Sequence, residues 1–440
     1  MRQFTSSYAR LALFVLVMGG GTGAAFCAQT PRIAGDGVHD DTAGLQALLD
    51  ARTSEVRFPV PRVCLLISKT LKIHSGQTLV LSRHTMVRLK ARTGHVMITN
   101  SDHDNGNENM GVVGGIWNMD NLNQDLTAYQ KIHQNDPYTP DLYTGVLMRF
   151  NNVKNLTIRG LTLKDPVTFG MQLGNIRQFT IDDITFDYNL QRYNMDGVHL
   201  NGGCRFGKIT NLKGTTNDDL VALNADDAGW GEMTRGPIED ISVDGLYSED
   251  GYRAVRLLSA GSPVRRIQFS NIYGTYRYNV VAFTNHKVHP GTASTFEDIS
   301  FRDVFCSKSG ATMKFDPAQP GPSNRALFWF EAPAAVSNLT ISGFHRTENL
   351  WAADNILIDS GVTVERLQLH DVTVINNSPG PIHVITNRGS IGSLQMSAVY
   401  AKAGEKAAGG AVVSNQGTIR QSTLRDISTV NVSPEILERH

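Results

Sequence analysis

Residues 194–227 read NMDGVHLNGGCRFGKITNLKGTTNDDLVALNADD and contain two copies of one pattern. In each copy an acidic cluster precedes a short apolar run, so that VHLN at 198–201 aligns with VALN at 221–224. The alignment places Asp196 and Asp219 at equivalent positions, 23 residues apart. Short strands that recur at such a spacing, with turns and no helices between them, indicate a solenoid of stacked coils.

The same pattern extends over the chain after Tyr143. A first strand such as LTIRGLTL (156–163) is followed by a turn and a second apolar strand such as GMQL (170–173). Second strands recur every 23 to 28 residues, for example at 255 and 281 and at 356 and 383, and two longer coils carry insertions. A propeller blade needs a longer repeat. We therefore predict an all-β fold, a single-stranded right-handed parallel β-helix.

The N-terminal region is expected to cap this solenoid. In the segment IAGDGVHDDTAGLQALLDA (33–51), Asp40 or Asp41 is predicted to N-cap a helix at about 41–51. Its apolar positions share one face: Leu45, Leu48 and Leu49. A helix placed here protects the unpaired edge of the first coil. We predict one β-helix domain over residues 29–440.

Residues 100–141 interrupt the strand pattern. This segment is rich in Asn, Asp and Gly and is too long for an ordinary turn. We predict a lateral loop whose aromatic rings either stack on sugar rings or pack against the core. The aromatic residues concerned are Trp117, Tyr129, Tyr138 and, just beyond the loop, Tyr143.

The composition limits the classes of partner. Equal numbers of acidic and basic residues, 41 each, provide no basic excess for nucleic acid. Arg2 and Arg10 precede a short apolar run at 11–18, which is the layout of a secretory signal peptide over residues 1–28. A retained N-terminal anchor is the alternative. We predict a secreted or periplasmic monomer with no membrane contact once the signal is removed.

Three cysteines follow the predicted signal peptide: Cys64, Cys204 and Cys306. Their wide spacing matches neither a metal site nor a disulfide framework. We expect buried small hydrophobic residues with at most one disulfide among them.

The stacked carboxylates at 196 and 219 indicate acid–base chemistry. Equivalent residues of neighbouring coils lie roughly 4.8 Å apart, so repulsion between Asp196 and Asp219 would raise one pKa. In a regular strand Asp218 would face the interior, but a bend there would bring it to the surface. An acid and a base about 6.5–9.5 Å apart hydrolyse glycosides with inversion. The three aspartates can provide such a pair.

Two arginines extend the alignment. Arg253 falls in register with Asp196 and Asp219, and Arg256 falls in register with His199. Cations beside carboxylates in a groove indicate recognition of an acidic sugar. The alternative is that the arginines only neutralise the aspartates in a surface salt network.

Two further polar groups are ambiguous. Asp226 and Asp227 carry oxygen ligands suited to Ca²⁺, although a solvated pair in a loop is the favoured interpretation. His286 and His289 flank Lys287 and indicate a loop over the groove more than a metal site. We predict no metal and no cofactor.

Two motifs are similar to those of known families. The N-terminal GDGVHDDTAGLQALLDA resembles the opening of the pectate-lyase-like β-helix superfamily. NMDG at 194–197 with NDDLVALN at 217–224 resembles the family 28 glycoside hydrolases, or polygalacturonases, which are inverting β-helical hydrolases of galacturonan and related pectic chains. The resemblance implies that Asp218 is the general acid and that Asp196 and Asp219 hold and activate the water.

The sequence departs from that family in its binding motifs. The family continues with Gly-His-Gly and Arg-Ile-Lys, and this chain has no Gly-His-Gly. Three alternatives are open. Residues 251–253 occupy the Gly-His-Gly coil, or residues 254–258 match Arg-Ile-Lys with Arg256 kept and Leu258 in place of lysine, or residues 285–287 supply the missing imidazole and cation. We predict seven substrate-binding residues: Asn194, His199, Asn217, Arg253, Arg256, His286 and Lys287.

The leading prediction is a secreted glycoside hydrolase that cleaves a pectin-like or other acidic polysaccharide or oligosaccharide. A Ca²⁺-dependent uronate lyase or epimerase on the same fold is the first alternative, with Ca²⁺ on the aspartates and Arg253 or Arg256 abstracting a proton. A non-catalytic carbohydrate-binding β-helix is the second.

Overall fold

The structure is a computed structural model that describes residues 32–124, 143–227, 232–312, 325–407 and 409–438. The predicted signal peptide, Tyr129 and Tyr138 lie outside these residues. The described part of the chain contains one α-helix, α1 (Thr42–Asp50), and 30 strands. No helix in these ranges is long and apolar enough to cross a membrane.

The first strands are β1 (Glu55–Arg57), β2 (Leu65–Ile67), β3 (Leu71–Ile73), β4 (Thr78–Val80), β5 (Met86–Leu89), β6 (Ile98–Asn100), β7 (Asn107–Val113), β8 (Ile116–Asn118), β9 (Met148–Asn151), β10 (Val153–Arg159), β11 (Thr162–Lys164) and β12 (Met171–Gly174). They are followed by β13 (Arg177–Asp187), β14 (Val198–Asn201), β15 (Arg205–Gly214), β16 (Asp219–Asn224), β17 (Ile238–Gly251), β18 (Arg253–Leu258), β19 (Val264–Tyr276), β20 (Val281–Thr284), β21 (Ser294–Lys308), β22 (Phe328–Phe330), β23 (Ala334–Glu348), β24 (Ile356–Ile358), β25 (Val362–Asn376), β26 (Ile385–Asn387), β27 (Ser390–Ala403), β28 (Gly410–Asn415), β29 (Thr418–Val430) and β30 (Val432–Glu438).

These strands form two long parallel sheets. One has 17 strands and the other, sheet B, has 13. Sheet B contains the second strand of each coil: β3, β6, β9, β12, β14, β16, β18, β20, β22, β24, β26, β28 and β30. Each strand pairs in parallel with its equivalent in the next coil, as at Val198, Val221 and Val255. The chain is a parallel β-helix, and the predicted register of its central coils is confirmed.

One predicted strand position near the C-terminus is wrong. Ile356 pairs with Ile385, whereas the sequence pattern placed its partner at 383. The apolar run IHVI begins before β26, and Ile382 is already buried in the preceding turn. Because a buried turn residue looks like the start of a strand, the pattern placed the strand two residues too early.

The predicted cap is confirmed by α1. Leu45 and Leu49 are fully buried against the core. The side-chain amide of Gln46 binds both backbone groups of Lys72 in β3: it accepts from the N–H at 2.8 Å and donates to the C=O at 3.1 Å. Since β3 is the first strand of sheet B, the helix satisfies backbone groups that would otherwise form an open edge.

The two candidate capping aspartates have different partners. Asp40 accepts a hydrogen bond from the backbone N–H of Thr42, the first residue of α1, at 2.9 Å. Asp41 accepts instead from the N–H groups of Ala34 at 2.6 Å and Leu66 at 3.0 Å. Asp41 thus occupies the N-cap position, but its side chain ties the N-terminal segment to β2, and Asp40, one residue earlier, provides the side-chain hydrogen bond to the first turn of the helix.

The predicted lateral loop is partly wrong. β7 and β8 lie within residues 100–141, and Trp117 is fully buried in β8 with its indole N–H donating to the C=O of Gly114. Tyr143 is buried as well. The Asn- and Gly-rich composition belongs to the turns between these short strands, and it concealed them. Residues 125–142 lie outside the described part of the chain.

The three cysteines match their prediction. Cys64, Cys204 and Cys306 are buried, and none forms a disulfide within the described residues. Burial raises the pKa of the Cys204 thiol to about 12, so this side chain remains a neutral, inert part of the core.

Candidate active site

Two aspartates meet where strands of successive coils begin. Asp196 lies two residues before β14, and Asp219 is the first residue of β16. The N–H of Gly197 donates to the C=O of Asp219 at 2.9 Å. Only glycine allows this approach, because a Cβ at 197 would lie 2.5 Å from the backbone oxygen of Leu220. The predicted stacking of the two residues is thus built into the parallel register.

Asp218 reaches the same place because the chain bends at 217–218. It is partly exposed, whereas Asp196 and Asp219 are buried. One oxygen from each of the three carboxyl groups lies within 4.8 Å of the others. These oxygens are closer than the roughly 6.5–9.5 Å predicted for an acid–base pair, because adjacent coils are only one strand spacing apart.

Two arginines from the next coil compensate the charge of Asp219. Nη1 of Arg253 lies 2.6 Å from Oδ1 of Asp219, and Nε of Arg256 lies 2.8 Å from Oδ2. The second contact is an ion pair without hydrogen-bond geometry. The side chain of Arg253 is 4% exposed and that of Arg256 is 17% exposed. Arg253 is therefore buried against Asp219 and out of reach of a ligand, while Arg256 retains surface that a ligand can reach.

The pKa values of Asp218 and Asp196 are both raised, but to different extents. Burial, together with the charges of Asp219 and Asp196, raises the pKa of Asp218 well above its usual value. Burial also raises the pKa of Asp196, but a hydrogen bond from His199 partly opposes this. Within the described residues no cationic side chain donates a hydrogen bond to Asp218, so its tendency to hold a proton exceeds that of Asp196.

His199 is a buried neighbour of Asp196. It lies in β14, is fully buried, and stacks on Phe169 with ring centroids 4.0 Å apart. Its Nδ1 is 2.7 Å from Oδ2 of Asp196, and its Nε2 is 3.0 Å from Oδ2 of Asp227. Burial acts to lower the pKa of His199, but hydrogen bonds to the two carboxylates outweigh it and raise the pKa to about 9. The predicted substrate contact is in fact a buried link between carboxylates.

Asp226 and Asp227 are not the solvated loop pair that was predicted. Asp226 is fully buried and accepts from the N–H groups of Ala260 at 2.8 Å and Ser262 at 2.6 Å. Although burial acts to raise the pKa of Asp227, the hydrogen bond and charge of His199 hold it well below its usual range. The sequence showed only an acidic pair after a strand, which does not reveal partners in another coil.

The comparisons with known proteins fit this geometry. The profile for glycosyl hydrolases family 28 matches residues 53–233. An exopolygalacturonase from Arabidopsis thaliana is 23% identical over 52% of this chain and 49% of its own length, and a polygalacturonase from Nicotiana tabacum is 23% identical over 52% and 54%. The chain is therefore similar to the family 28 glycosyl hydrolases over residues 53–233.

A solved structure of another protein shares the β-helical fold. Gene product 12 of bacteriophage phi29, in its pre-mature form, has a TM-score of 0.55 at 14% identity, over 92% of this chain and 56% of that one. The chain spans about half the length of the curated relatives it matches. The family match includes Asp196, Asp218 and Asp219 but ends before Arg253 and Arg256.

The two asparagines that were predicted to bind substrate, Asn217 and Asn194, both lie in turns. Asn217 is buried: its Nδ2 donates to the C=O of Arg192 at 2.7 Å, and its Oδ1 accepts from Arg277 at 2.8 Å. Asn194 has a φ of 53° in the turn before β14 and is partly exposed. Asn217 thus fixes the bend that presents Asp218, and Asn194 is the one of the two within reach of solvent.

The loop after β20 contains His286 and Lys287, which were both predicted to bind substrate, and it brings only His286 to the site. Nε2 of His286 lies 3.4 Å from Nη1 of Arg256. Burial and the charge of Arg256 lower the pKa of His286 to about 4, so the imidazole is neutral. Within the described residues the side chain of Lys287 forms no hydrogen bond or ion pair. Of the three sequence alternatives, the geometry gathers Arg253, Arg256 and His286 beside Asp219 and leaves Lys287 apart.

Proposed function

We propose that this protein is a glycoside hydrolase that acts on a pectin-like or other acidic polysaccharide. The observation that carries the proposal is the meeting of Asp196, Asp218 and Asp219 within 4.8 Å, with unequal tendencies to hold a proton. A carboxylic acid beside carboxylates is the arrangement that acid–base cleavage of a glycosidic bond requires. The similarity to polygalacturonases supports the same reaction class.

Each of the three carboxyl groups has a different role in the proposed reaction. Asp218 is partly exposed and protonated, so it donates its proton to the oxygen of the leaving sugar. A water held by Asp196 and Asp219 attacks the anomeric carbon and gives its proton to Asp196. We assign the base role to Asp196 because its pKa is raised, whereas Asp219 is paired with two arginines and serves to orient the water. Because a water, and not a carboxylate, attacks the anomeric carbon in a single displacement, we expect inversion there, although the carboxyl oxygens are closer than the roughly 6.5–9.5 Å usual for inverting pairs.

The acidic substrate is supported by the exposed part of Arg256, which can donate to a sugar carboxylate. His286 beside it is 38% exposed and neutral, and it can provide a further hydrogen bond.

We further propose that the protein is exported, on the basis of the signal-like sequence at residues 1–28, and that it acts as a monomer. Fractionation of cells and size-exclusion chromatography test these two points.

The decisive experiment is a product screen on polygalacturonate and other pectic fragments, with the anomeric configuration followed by NMR. We expect saturated reducing ends that appear with inverted configuration and without dependence on added metal. Unsaturated products that absorb in the ultraviolet, together with loss of activity in a chelator, would establish the Ca²⁺-dependent lyase instead. Saccharide binding without turnover would establish the non-catalytic alternative.

A further inference from the structure

His199 sits where it can act on the site without touching substrate. It faces outward from β14, yet its side chain is fully buried, with Phe169 stacked on the ring at an interplanar angle of 11°. The parallel register places Gln172 before it and Ala222 after it in sheet B. A saccharide in the groove therefore meets Asp218 and Arg256, whereas the imidazole lies beneath the surface.

The two ring nitrogens of His199 both face carboxylate oxygens. Nδ1 is 2.7 Å from Asp196, and Nε2 is 3.0 Å from Asp227. Between two ionised carboxylates a neutral imidazole, which has one N–H, would face one of them with lone pair against lone pair. An imidazolium donates to both carboxylates; the Nδ2 atoms of Asn224 and Asn201 also lie near Nε2, at 3.3 and 3.5 Å, but farther away than the Asp227 oxygen at 3.0 Å. Asn224 supports the arrangement from the next coil, because its Nδ2 donates to the same oxygen of Asp227 at 3.0 Å.

We propose that His199, as an imidazolium anchored by Asp227, is a positioning residue that orients and stabilises the Asp196 carboxylate. The proposal rests on the hydrolytic function proposed above, in which Asp196 receives the proton of the water. One oxygen of Asp196 is held by His199, and the backbone C=O of Asp196 accepts from Tyr188 at 3.1 Å and from Gly170 at 2.9 Å. Asp196 is thereby restrained against rotation, and its other oxygen, Oδ1, is not the one that His199 binds.

The role predicts a particular kinetic pattern. His199→Gln removes the charge but keeps a polar side chain, and Asp227→Asn removes the anchor without touching Asp196. In both variants we expect kcat to fall about 10- to 100-fold, the usual cost of losing an orienting partner, while KM stays within about twofold because no substrate contact is lost. His370→Gln is the matched control, since His370 is exposed on β25 and is predicted to leave both constants unchanged.

A spectroscopic signature tests the inference independently of turnover. In ¹⁵N-histidine-labelled protein at neutral pH, we expect one buried imidazole with both nitrogens protonated, and its signal should disappear in His199→Gln. A singly protonated ring at 199 would overturn the inference, as would an unchanged kcat in both variants or a rise in KM alone. If the wild type hydrolyses nothing, the proposed function fails, and the nitrogen signals still decide whether His199 bridges the two carboxylates. Should His199→Gln not fold, Asp227→Asn provides the same readouts.

Discussion

Nη1 of Arg253 lies 2.6 Å from Oδ1 of Asp219, and the two residues begin neighbouring strands of sheet B in direct register. Both side chains are almost fully buried. A buried ion pair adds little net stability, but removing one partner leaves an unpaired charge in the interior. Tyr252 and Tyr278 flank the guanidinium, with ring centroids 5.3 and 5.2 Å away. The charge of Arg253 therefore helps to offset the cost of burying the Asp219 carboxylate.

Arg253→Met should lower the free energy of unfolding by up to about 3 kcal/mol, the lower end of the usual cost of breaking a buried ion pair, because Arg256 still pairs with Asp219. Adding Asp219→Asn removes the carboxylate charge that Arg253 no longer compensates, so the double variant should recover part of the loss. Denaturant unfolding of the single and double variants measures both effects. Arg302→Met is the control, because its ion pair with Asp303 is exposed and is expected to contribute about 0–1 kcal/mol. A double variant less stable than Arg253→Met would contradict this account.

Replacing each of the three aspartates that we propose to be catalytic tests the assignment of roles. Asp196→Asn, Asp218→Asn and Asp219→Asn should each lower kcat by about 10²- to 10⁴-fold, the range for loss of a general acid or base. Circular dichroism and thermal unfolding check that each variant is folded. Asp303→Asn is the matched control, since Asp303 has a φ of 57° that asparagine tolerates and its side chain is 43% exposed. Full activity in any of the three would remove that residue from the mechanism.

The site shows what a repeat pattern can and cannot predict. Aligning the two strand segments fixed which residues of neighbouring coils stack, so the positions of Asp219, Arg253 and Arg256 relative to one another followed from spacing alone. The alignment placed His199 correctly in register with Arg256, but it did not predict that His199 is buried or that it contacts Asp227. Asp227 follows the last paired residue of β16, where strand register no longer applies. Residues in turns are positioned by tertiary contacts, which the spacing does not encode.

Arg256 provides a test of the acidic substrate. Its 17% exposed side chain can donate to a sugar carboxylate, and a hydrogen bond to a charged group contributes roughly 1.5–3 kcal/mol. Arg256→Ala should therefore raise KM for acidic oligosaccharides by about tenfold or more, and raise it less for neutral ones. Arg302→Ala should change neither value. Equal effects on the two substrate classes would make Arg256 a structural partner of Asp219.

The pH dependence of hydrolysis should report on Asp218. As the general acid it acts only when protonated, so kcat should fall on the alkaline side as pH rises through its raised pKa. The charge of Arg256 lowers that pKa. Arg256→Gln should consequently shift the alkaline limb to higher pH, and pH–rate profiles of the two proteins measure the shift. A limb that stays in place would show that another group controls it.

The stability of the fold should depend on the protonation of His199. Its pKa is about 9 in the folded protein, against an ordinary value of 6.5, because the hydrogen bonds to Asp196 and Asp227 outweigh burial. A raised folded-state pKa stabilises the protein fully below the unfolded value, and this contribution is lost as pH rises through the folded value. The shift corresponds to about 3 kcal/mol.

Denaturant unfolding of the wild type and His199→Gln between about pH 6 and pH 9.5 measures this contribution. The difference between the two curves is the relevant quantity, because Lys308 acts in the opposite sense. Burial lowers the pKa of Lys308 to about 7, so its cost to stability is relieved as pH rises above that value. We expect the stability advantage of the wild type to shrink steadily above about pH 6.5. A constant difference across this range would mean that His199 is neutral in the folded protein.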